Sequence, residues 1–575
     1  MDNTPHKDVP LENIEKSAPV SPPSSEDRVL DQESDFDLLY GWRLHMTTLT
    51  ICLSLFLASL EVSIVSTVLV SIARDLHNFT ETGWIVSAYL LTYSGFLVIW
   101  AKISEIAGRK ACLTVAFAAF VLFSGGCGAA QTSTQLITLR AFQGFGGSGM
   151  TSISISMLPE MVPEAKFPLY SSLTGLAFAF SYLLGPLLGG AINNGNQWRW
   201  VFLLNVPAGL ITILFLHLSV PTNFPRHLRP VPRKSWLSRS GLRRIDFVGC
   251  FLLFGASGLL VASLEEAGLH YEWSSPTIIV LLVMCGLFWI GFVLWERAIT
   301  LRQESAQKPS LLKALVSFRS QSASSDGSKI YADRVEPIFP WRFVKNRVFF
   351  SMLLCAFATG VPFTVCVITI PQRFQVINAL SGWDASVRLL PFTVGIPVGS
   401  VIQSVAIKRG VPPIFVVLTG SLIQVAGTIP QLYPSVGITA AIYGEHFLTG
   451  FGVGINLGLL ILWTPYIAKG TDTSVGMSSI TQIRALGGVV GIAIVSNLFN
   501  NYLRQSLASS GLSGAEVAAV IQSAAASSAL QNDLTRHIFR EAYIRQVRVV
   551  VGFAAAQLAL AVGMWRTPIM RLVGT

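Results

Sequence analysis

The sequence predicts an all-α membrane protein with about fourteen spanning helices, and three observations carry that prediction. The chain of 575 residues is 51% hydrophobic and only 13% charged, with a mean hydropathy of +0.57. Soluble domains carry roughly 25% charged residues, so this chain has too few charges to cover a water-facing surface. Its apolar residues fall into successive runs of about 20, the length of helix that crosses ~30 Å of hydrocarbon. Lys and Arg, finally, collect in alternate connections between those runs.

The apolar runs place the first six helices at 47–70, 83–102, 111–130, 135–157, 168–192 and 200–220. Two more fall at 246–264 and 276–296, and six at 348–371, 386–407, 411–431, 437–463, 473–498 and 547–566. Prolines inside these runs, such as Pro186 and Pro397, are tolerable because neighbouring helices satisfy the freed backbone groups. Residues 1–40 are rich in Pro, Ser, Asp and Glu and lack an apolar segment, so they read as a disordered tail without a cleavable signal. The organisation expected is a first six-helix bundle over 41–220, a basic loop with two inserted helices over 221–296, a linker over 297–347, and a second bundle over 348–575. That second bundle contains a long outer loop at 499–546.

An even number of spans with the N-terminus inside puts most of the 41 Lys and Arg on the cytosolic side. The outer exceptions concentrate in 499–546, which carries Arg504, Arg536, Arg540 and Arg545. Both termini are therefore expected in the cytosol. The net charge of +10 is accounted for by topology and by anionic inner-leaflet lipid, and nucleic acid is not an expected partner. The seven cysteines are scattered without a C-x-x-C pair, so neither a disulfide framework nor a metal site is expected. Asn78-Phe-Thr80 is the one glycosylation sequon, in a short outer loop close to the bilayer where its use is not expected.

The chain also repeats itself. Arg140-Ala-Phe-Gln143-Gly144-Phe-Gly146 in the fourth predicted helix corresponds to His446-Phe-Leu-Thr-Gly450-Phe-Gly452 in the twelfth. Gly185-Pro186-Leu-Leu-Gly189 corresponds to Gly487-Gly-Val-Val-Gly491, and Gly108-Arg109-Lys110 to Lys408-Arg409-Gly410. Two six-helix halves with two helices between them fit this pattern, and substrate sites in such repeats lie near midplane between the halves. The string Gly144-Phe-Gly146-Gly-Ser-Gly149 matches a dinucleotide-binding fingerprint, but it lies inside an apolar span with no βαβ unit, so the glycines are assigned to close helix packing.

Four motifs carry a family resemblance. Ala101-Lys-Ile-Ser-Glu105-Ile-Ala-Gly108-Arg109-Lys110 is similar to G-x-L-x-D-x-x-G-R-K. Leu139-Arg140-Ala-Phe-Gln143-Gly144 is similar to L-x-x-x-R-x-x-Q-G. Ser181 through Gly185-Pro186-Leu-Leu-Gly189-Gly190 is similar to G-x-x-x-G-P-x-x-G-G, with Ser181 replacing a glycine. Leu60-Glu61-Val-Ser-Ile64-Val65-Ser66 is similar to L-D-x-T-I-V-N, with Glu61 for Asp and Ser66 for Asn. Together they resemble the major facilitator superfamily, and within it the 14-helix drug:proton antiporters of fungal type that export drugs and mycotoxins.

The resemblance implies the major facilitator fold and a transporter rather than an enzyme. It implies a proton gradient in place of any cofactor, and an apolar or amphipathic small molecule as the exported substrate. It assigns Glu105, Gly108, Arg109 and Lys110 to a cytosolic gate, with Glu105 facing a helix N-terminus. Ser181, Gly185, Pro186, Gly189 and Gly190 fall in the antiporter motif. Glu61 and Arg140 fall to proton coupling, and their similar depth below the outer face predicts that they pair. Gln143, Glu445, His446 and Arg484 are candidates for the cavity or for coupling. The expected state is a monomer in the plasma membrane, with vacuolar or vesicle membranes as alternatives. An uptake permease of the same fold, for siderophore chelates for example, and a transport-inactive sensor are the competing readings.

Overall fold

A computed structural model describes residues 39–76, 82–163, 166–194, 197–221, 224, 244–267, 271–307, 335–378, 380–433, 438–468, 472–510 and 533–570. Asn78 and most of the expected tail and linker lie outside them. The first six long helices are α1 Gly41–Asp75, α2 Thr82–Ala107, α3 Arg109–Ala129, α4 Ser133–Met161, α5 Phe167–Asn194 and α6 Asn205–Ser219. A short turn, Arg199–Leu203, leads into α6. Then come α7 Phe247–Glu266 and α8 Pro276–Gln307. The last six are α9 Arg347–Val376, α10 Leu390–Lys408 (preceded by Gly382–Arg388), α11 Pro413–Thr428, α12 Ala440–Ile467, α13 Asp472–Ser509 and α14 Asp533–Val562. The end of the bundle that carries the Gly108 turn, which the charge bias predicts to be cytosolic, is called the inner end below.

Thirteen of these helices are long and apolar enough to cross a membrane. The fourteenth, α4, is as long but studded with polar residues: Arg140, Gln143, Ser148, Ser152, Ser154 and Ser156 are all buried. Almost its whole length faces other helices, so it has no need of an apolar surface to meet lipid.

The expected outer loop 499–546 is a correction. Helix α13 runs on to Ser509, and α14 starts at Asp533. Asn, Arg and Gln in these stretches lower the hydropathy, which is why apolar-run segmentation ends both helices early. Helical spacing shows what the polar residues hide. Leu503 and Leu507 on α13 pack with Ile538, Phe539, Ala542 and Tyr543 on α14, together with Ile377 beyond α9. At 38 residues α13 is ~57 Å long, well beyond the ~30 Å of a hydrocarbon core. Arg545, expected in a loop, sits on this hairpin with its guanidinium 4.1 Å from the Tyr502 ring centre.

The sequence repeat is a packing repeat. In the first half, a Cβ at Gly144 would overlap Thr92 and the Tyr89 carbonyl of α2, and one at Gly146 would lie 2.6 Å from the Phe120 nitrogen of α3. In the second half, a Cβ at Gly450 would overlap the Phe392 carbonyl of α10 in the same way, and one at Gly452 would lie 2.5 Å from the Gln424 nitrogen of α11. Gly185 and Gly189 of α5 press on Ser63, Ile64 and Thr67 of α1. Gly487 and Gly491 of α13 press on Phe357 and Val361 of α9. Lipid tails are as apolar as the helices, so such close backbone approach supplies the association energy that hydrophobicity cannot. Gly108 has φ 98°, a conformation L side chains rarely adopt, and Gly410 in the corresponding turn has φ 79°.

The inserted pair α7–α8 packs on α2 and α13. Phe254 of α7 fills the space over Gly95 of α2, with its ring 4.8 Å from Phe96. Ser87 donates to Glu265 at 2.5 Å, Trp84 Nε1 to Glu266 at 2.8 Å, and Asn497 of α13 to the Leu264 carbonyl at 3.0 Å. Asp246 caps α7 by accepting from the Gly249 N–H at 2.8 Å and from Trp295 Nε1 at 2.9 Å.

The α1–α5 contact gives a direct test. Gly185→Leu inserts a side chain where Ser63 stands, and overpacking of this kind costs ~1–3 kcal/mol. The purified variant is expected to melt below the wild type, and Ser63→Gly in the same chain to recover part of the loss. Equal melting temperatures for wild type and Gly185→Leu would contradict the packing assignment.

Candidate functional site

The most deeply buried charges are Glu61 of α1 and Arg140 of α4, both 0% exposed. They form an ion pair through Glu61 Oε1 and Arg140 Nη1. The second carboxylate oxygen accepts from Asn205 Nδ2 of α6 at 2.5 Å. Arg140 also donates from Nε to the Ile85 carbonyl of α2 at 3.0 Å and from Nη1 to Gln143 Oε1 at 2.9 Å. Gln143 in turn donates to Ser124 of α3 at 2.7 Å. The guanidinium lies 4.5 Å from the Tyr89 ring centre and 5.7 Å from that of Phe202. Every spanning helix of the first half except α5 contributes to this cluster. Arg140 Nη2 and Asn205 Oδ1 are left without a hydrogen bond.

Tyr89 connects this cluster to the interface between the halves. It stacks on Tyr93, one turn further along α2, with centroids 5.8 Å apart. Tyr93 donates to Thr151 Oγ1 of α4 at 3.1 Å. Arg484 of α13 lies nearby, its guanidinium 5.8 Å from the Phe178 ring centre of α5.

A second charged cluster closes the inner end. Arg109 is 1% exposed and grips Glu160 of α4 with two bonds, Nη2 to Oε1 at 2.7 Å and Nε to Oε2 at 3.2 Å. It also donates to Ser104 at 2.5 Å and, across the halves, to Ser474 of α13 at 2.6 Å. Glu105 bonds to Lys102 at 3.1 Å and stands 3.9 Å from Arg109, so its partners are side chains of its own turn rather than a helix N-terminus. Lys102 reaches Glu336, within the expected linker, at 2.6 Å, and Glu336 also holds Arg244 at 2.5 Å. Burial alone would push the Glu336 carboxyl up, but Lys102 and Arg244 outweigh it and hold that carboxyl below its ordinary range. Lys110 stands apart, donating to the His217 and Val220 carbonyls at 3.0 and 2.6 Å, where it complements the C-terminal dipole of α6.

The remaining sequence candidates separate. Ser181, Gly185 and Gly189 line the α1–α5 contact, with Ser63 Oγ donating to the Ser181 carbonyl at 3.2 Å. Pro186 lies inside α5, and Gly190 faces Trp383 at the outer end. His446 is buried at the outer end of the second half, its ring 6.3 Å from Phe374, and neither ring nitrogen has a hydrogen bond. Glu445 beside it is half-buried. Neither residue joins the Glu61 cluster. Sequence reading missed Asn205, Tyr89, Glu160, Ser474 and Glu336. Glu160 carried a usable signal as the first acid after the apolar run 135–157.

Membrane-length helices arranged as repeated halves, an ion pair buried inside one half and a charged clamp joining the two halves at one end define a multi-pass membrane transporter. The chain belongs to the Major Facilitator Superfamily, whose sequence profile matches residues 51–303. It is 39% identical over 524 residues to the MFS-type transporter FPY5 of Fusarium mangiferae, covering 90% of this chain and 83% of that one. It is 28% identical over 474 residues to the MFS thioclapurine efflux transporter tcpA of Claviceps purpurea, covering 81% and 79%. Among solved structures, a bacterial homologue of the human lysosomal transporter Spinster, inward-facing and unoccupied, matches with a TM-score of 0.55 at 13% identity. That match covers 92% of this chain and 100% of the other, and it shows the shared fold.

The inner clamp is open to a double-mutant cycle. Arg109→Ala leaves Glu160 buried without its cation, and breaking a buried pair from one side costs ~3–5 kcal/mol. The double variant Arg109→Ala/Glu160→Ala is expected to melt closer to wild type than Arg109→Ala does. Strictly additive losses would show that the two side chains are not coupled.

Proposed function

We propose that this protein is a proton-coupled exporter of apolar or amphipathic small molecules, working as a monomer by alternating access. The buried Glu61–Arg140 pair carries the proposal. A charge inside a spanning helix is costly and is retained where it serves a pathway or a relay. Glu61 is the one carboxylate of the cluster, and desolvation favours its neutral acid whereas Arg140 and Asn205 favour the carboxylate. A shift of α1 against α4 that separates the pair tips this balance and takes up a proton. The reverse shift releases it. The Tyr89–Tyr93 stack places the interface between the halves next to this switch, so a substrate there biases the same movement.

The inner clamp supplies the gate. Arg109 holds α2, α3 and α4 together and touches α13 through Ser474, so opening the inner end requires that last bond to break. The tight α1–α5 seam carries the antiporter motif, which the resemblance associates with export. Relatives named as efflux transporters support the same direction. The excess of Lys and Arg at the inner end supports cytosolic termini, and the family resemblance favours the plasma membrane.

The test is transport in proteoliposomes of defined sidedness under an imposed proton gradient. Glu61→Gln retains the shape of the side chain and cannot ionise. It is expected to abolish gradient-driven substrate movement while substrate binding persists. Gradient-driven transport with wild-type pH dependence in Glu61→Gln would sink the coupling assignment, and substrate accumulation in the opposite direction would establish uptake.

A further inference from the structure

Arg484 is a cation in the middle of a spanning helix. It lies in the thirteenth residue of α13, ~18 Å from the inner end of that helix and so near the middle of a ~30 Å hydrocarbon core. Arg140, the other arginine buried deep within the span region, has Glu61. Among the described residues no acidic side chain pairs with Arg484, and the ionisable groups acting on it are the phenols of Tyr93 and Tyr182. Its side chain is half-buried, and its neighbours belong to the opposite half: Phe178 and Tyr182 on α5 and Tyr93 on α2. The guanidinium therefore points across the interface between the halves, where repeat transporters hold substrate.

The surroundings are aromatic. Phe363 of α9 meets Tyr182 edge-on at 4.7 Å, and Phe178 faces the guanidinium. Aromatic faces attract a cation but leave its N–H groups without strong acceptors. The Tyr93 hydroxyl is already given to Thr151, and both oxygens of the Glu61 carboxylate are taken by Arg140 and Asn205. A planar fork of donors in an apolar, aromatic enclosure fits one class of ligand: a flat hydrophobic body ending in a single anionic group that accepts two N–H bonds.

Within the transport reading above, on which this rests, we propose that Arg484 is the counter-ion for a monoanionic amphipathic substrate, a carboxylate or an ionised acidic enol. The aromatic residues of α2, α5 and α9 enclose its apolar body. The bound anion neutralises Arg484, so the loaded interface carries no net charge as the halves move. A cationic substrate is disfavoured by the same guanidinium.

The experiment uses the full-length protein in lipid nanodiscs and a matched probe pair, pyrenebutyrate and its methyl ester, which share the apolar body and differ in charge. Wild type is expected to bind the acid about tenfold or more tighter than the ester. Arg484→Gln is expected to lower acid binding to the ester level and leave ester binding unchanged, whereas Arg484→Lys keeps part of the preference. Equal binding of acid and ester by wild type overturns the proposal without recourse to any variant. So does an acid preference that survives in Arg484→Gln. The assay needs no gradient, so failure of proton-driven export with the acid preference intact counts against the coupling reading and leaves this one standing.

Discussion

The hydrocarbon interior supplies no water to solvate a charge, and the pairing of Glu61 with Arg140 is the answer on which the first half of this protein is built. Each ion taken alone would cost several kcal/mol to hold there. Together they need further hydrogen bonds to use the remaining lone pairs and protons, and those come from α2, α4 and α6. The pair thus fixes where four helices stand relative to one another. It also sets a condition on any rearrangement: separating the two charges is tolerable only if one of them is neutralised. A carboxyl is neutralised by a proton and a guanidinium is not, so the chemistry points to Glu61 as the member that changes.

The rest of the architecture lets that pair be moved. Small residues at the α1–α5 and α9–α13 seams bring backbones together without interlocking bulky side chains, a geometry that admits sliding and rocking. The two seams use glycines at matching places in the repeat, so the halves are built on one plan with different contents. The first half holds a balanced ion pair, and the second presents to the interface Arg484, which has no acidic partner among the described residues. The inner clamp is the stiff part. Arg109 makes five hydrogen bonds, four within its own half and one to α13, so it stiffens its own half while reaching the other half through a single hydroxyl, that of Ser474.

Much of this was legible in the sequence because charges in apolar runs are conspicuous. Glu61, Arg140 and Arg484 stand out as the single ions of the apolar runs 47–70, 135–157 and 473–498, and helix arithmetic placed Glu61 and Arg140 at similar depth. The glycine pairs of the repeat were visible for the same reason, since spacing survives where side chains diverge. Other parts were hidden by the same measure. Hydropathy ended α13 and α14 at their polar outer turns, where Leu503, Leu507, Phe539 and Tyr543 show the helix only by spacing. Asn205 reads as an ordinary residue at a helix start, and nothing local in the sequence links Arg109 to Glu160 or to Ser474. Those links are set by how the helices cross, which one strand of sequence does not encode locally.

The central claim is that Glu61 is the group that exchanges the proton. Infrared difference spectroscopy of the purified protein, acidic minus neutral, reads this directly through the carbonyl stretch of a neutral carboxylic acid. The account predicts a carboxylic acid band in wild type that is missing in Glu61→Gln. Difference spectra that are the same in both proteins throughout the carboxylic acid region would contradict it.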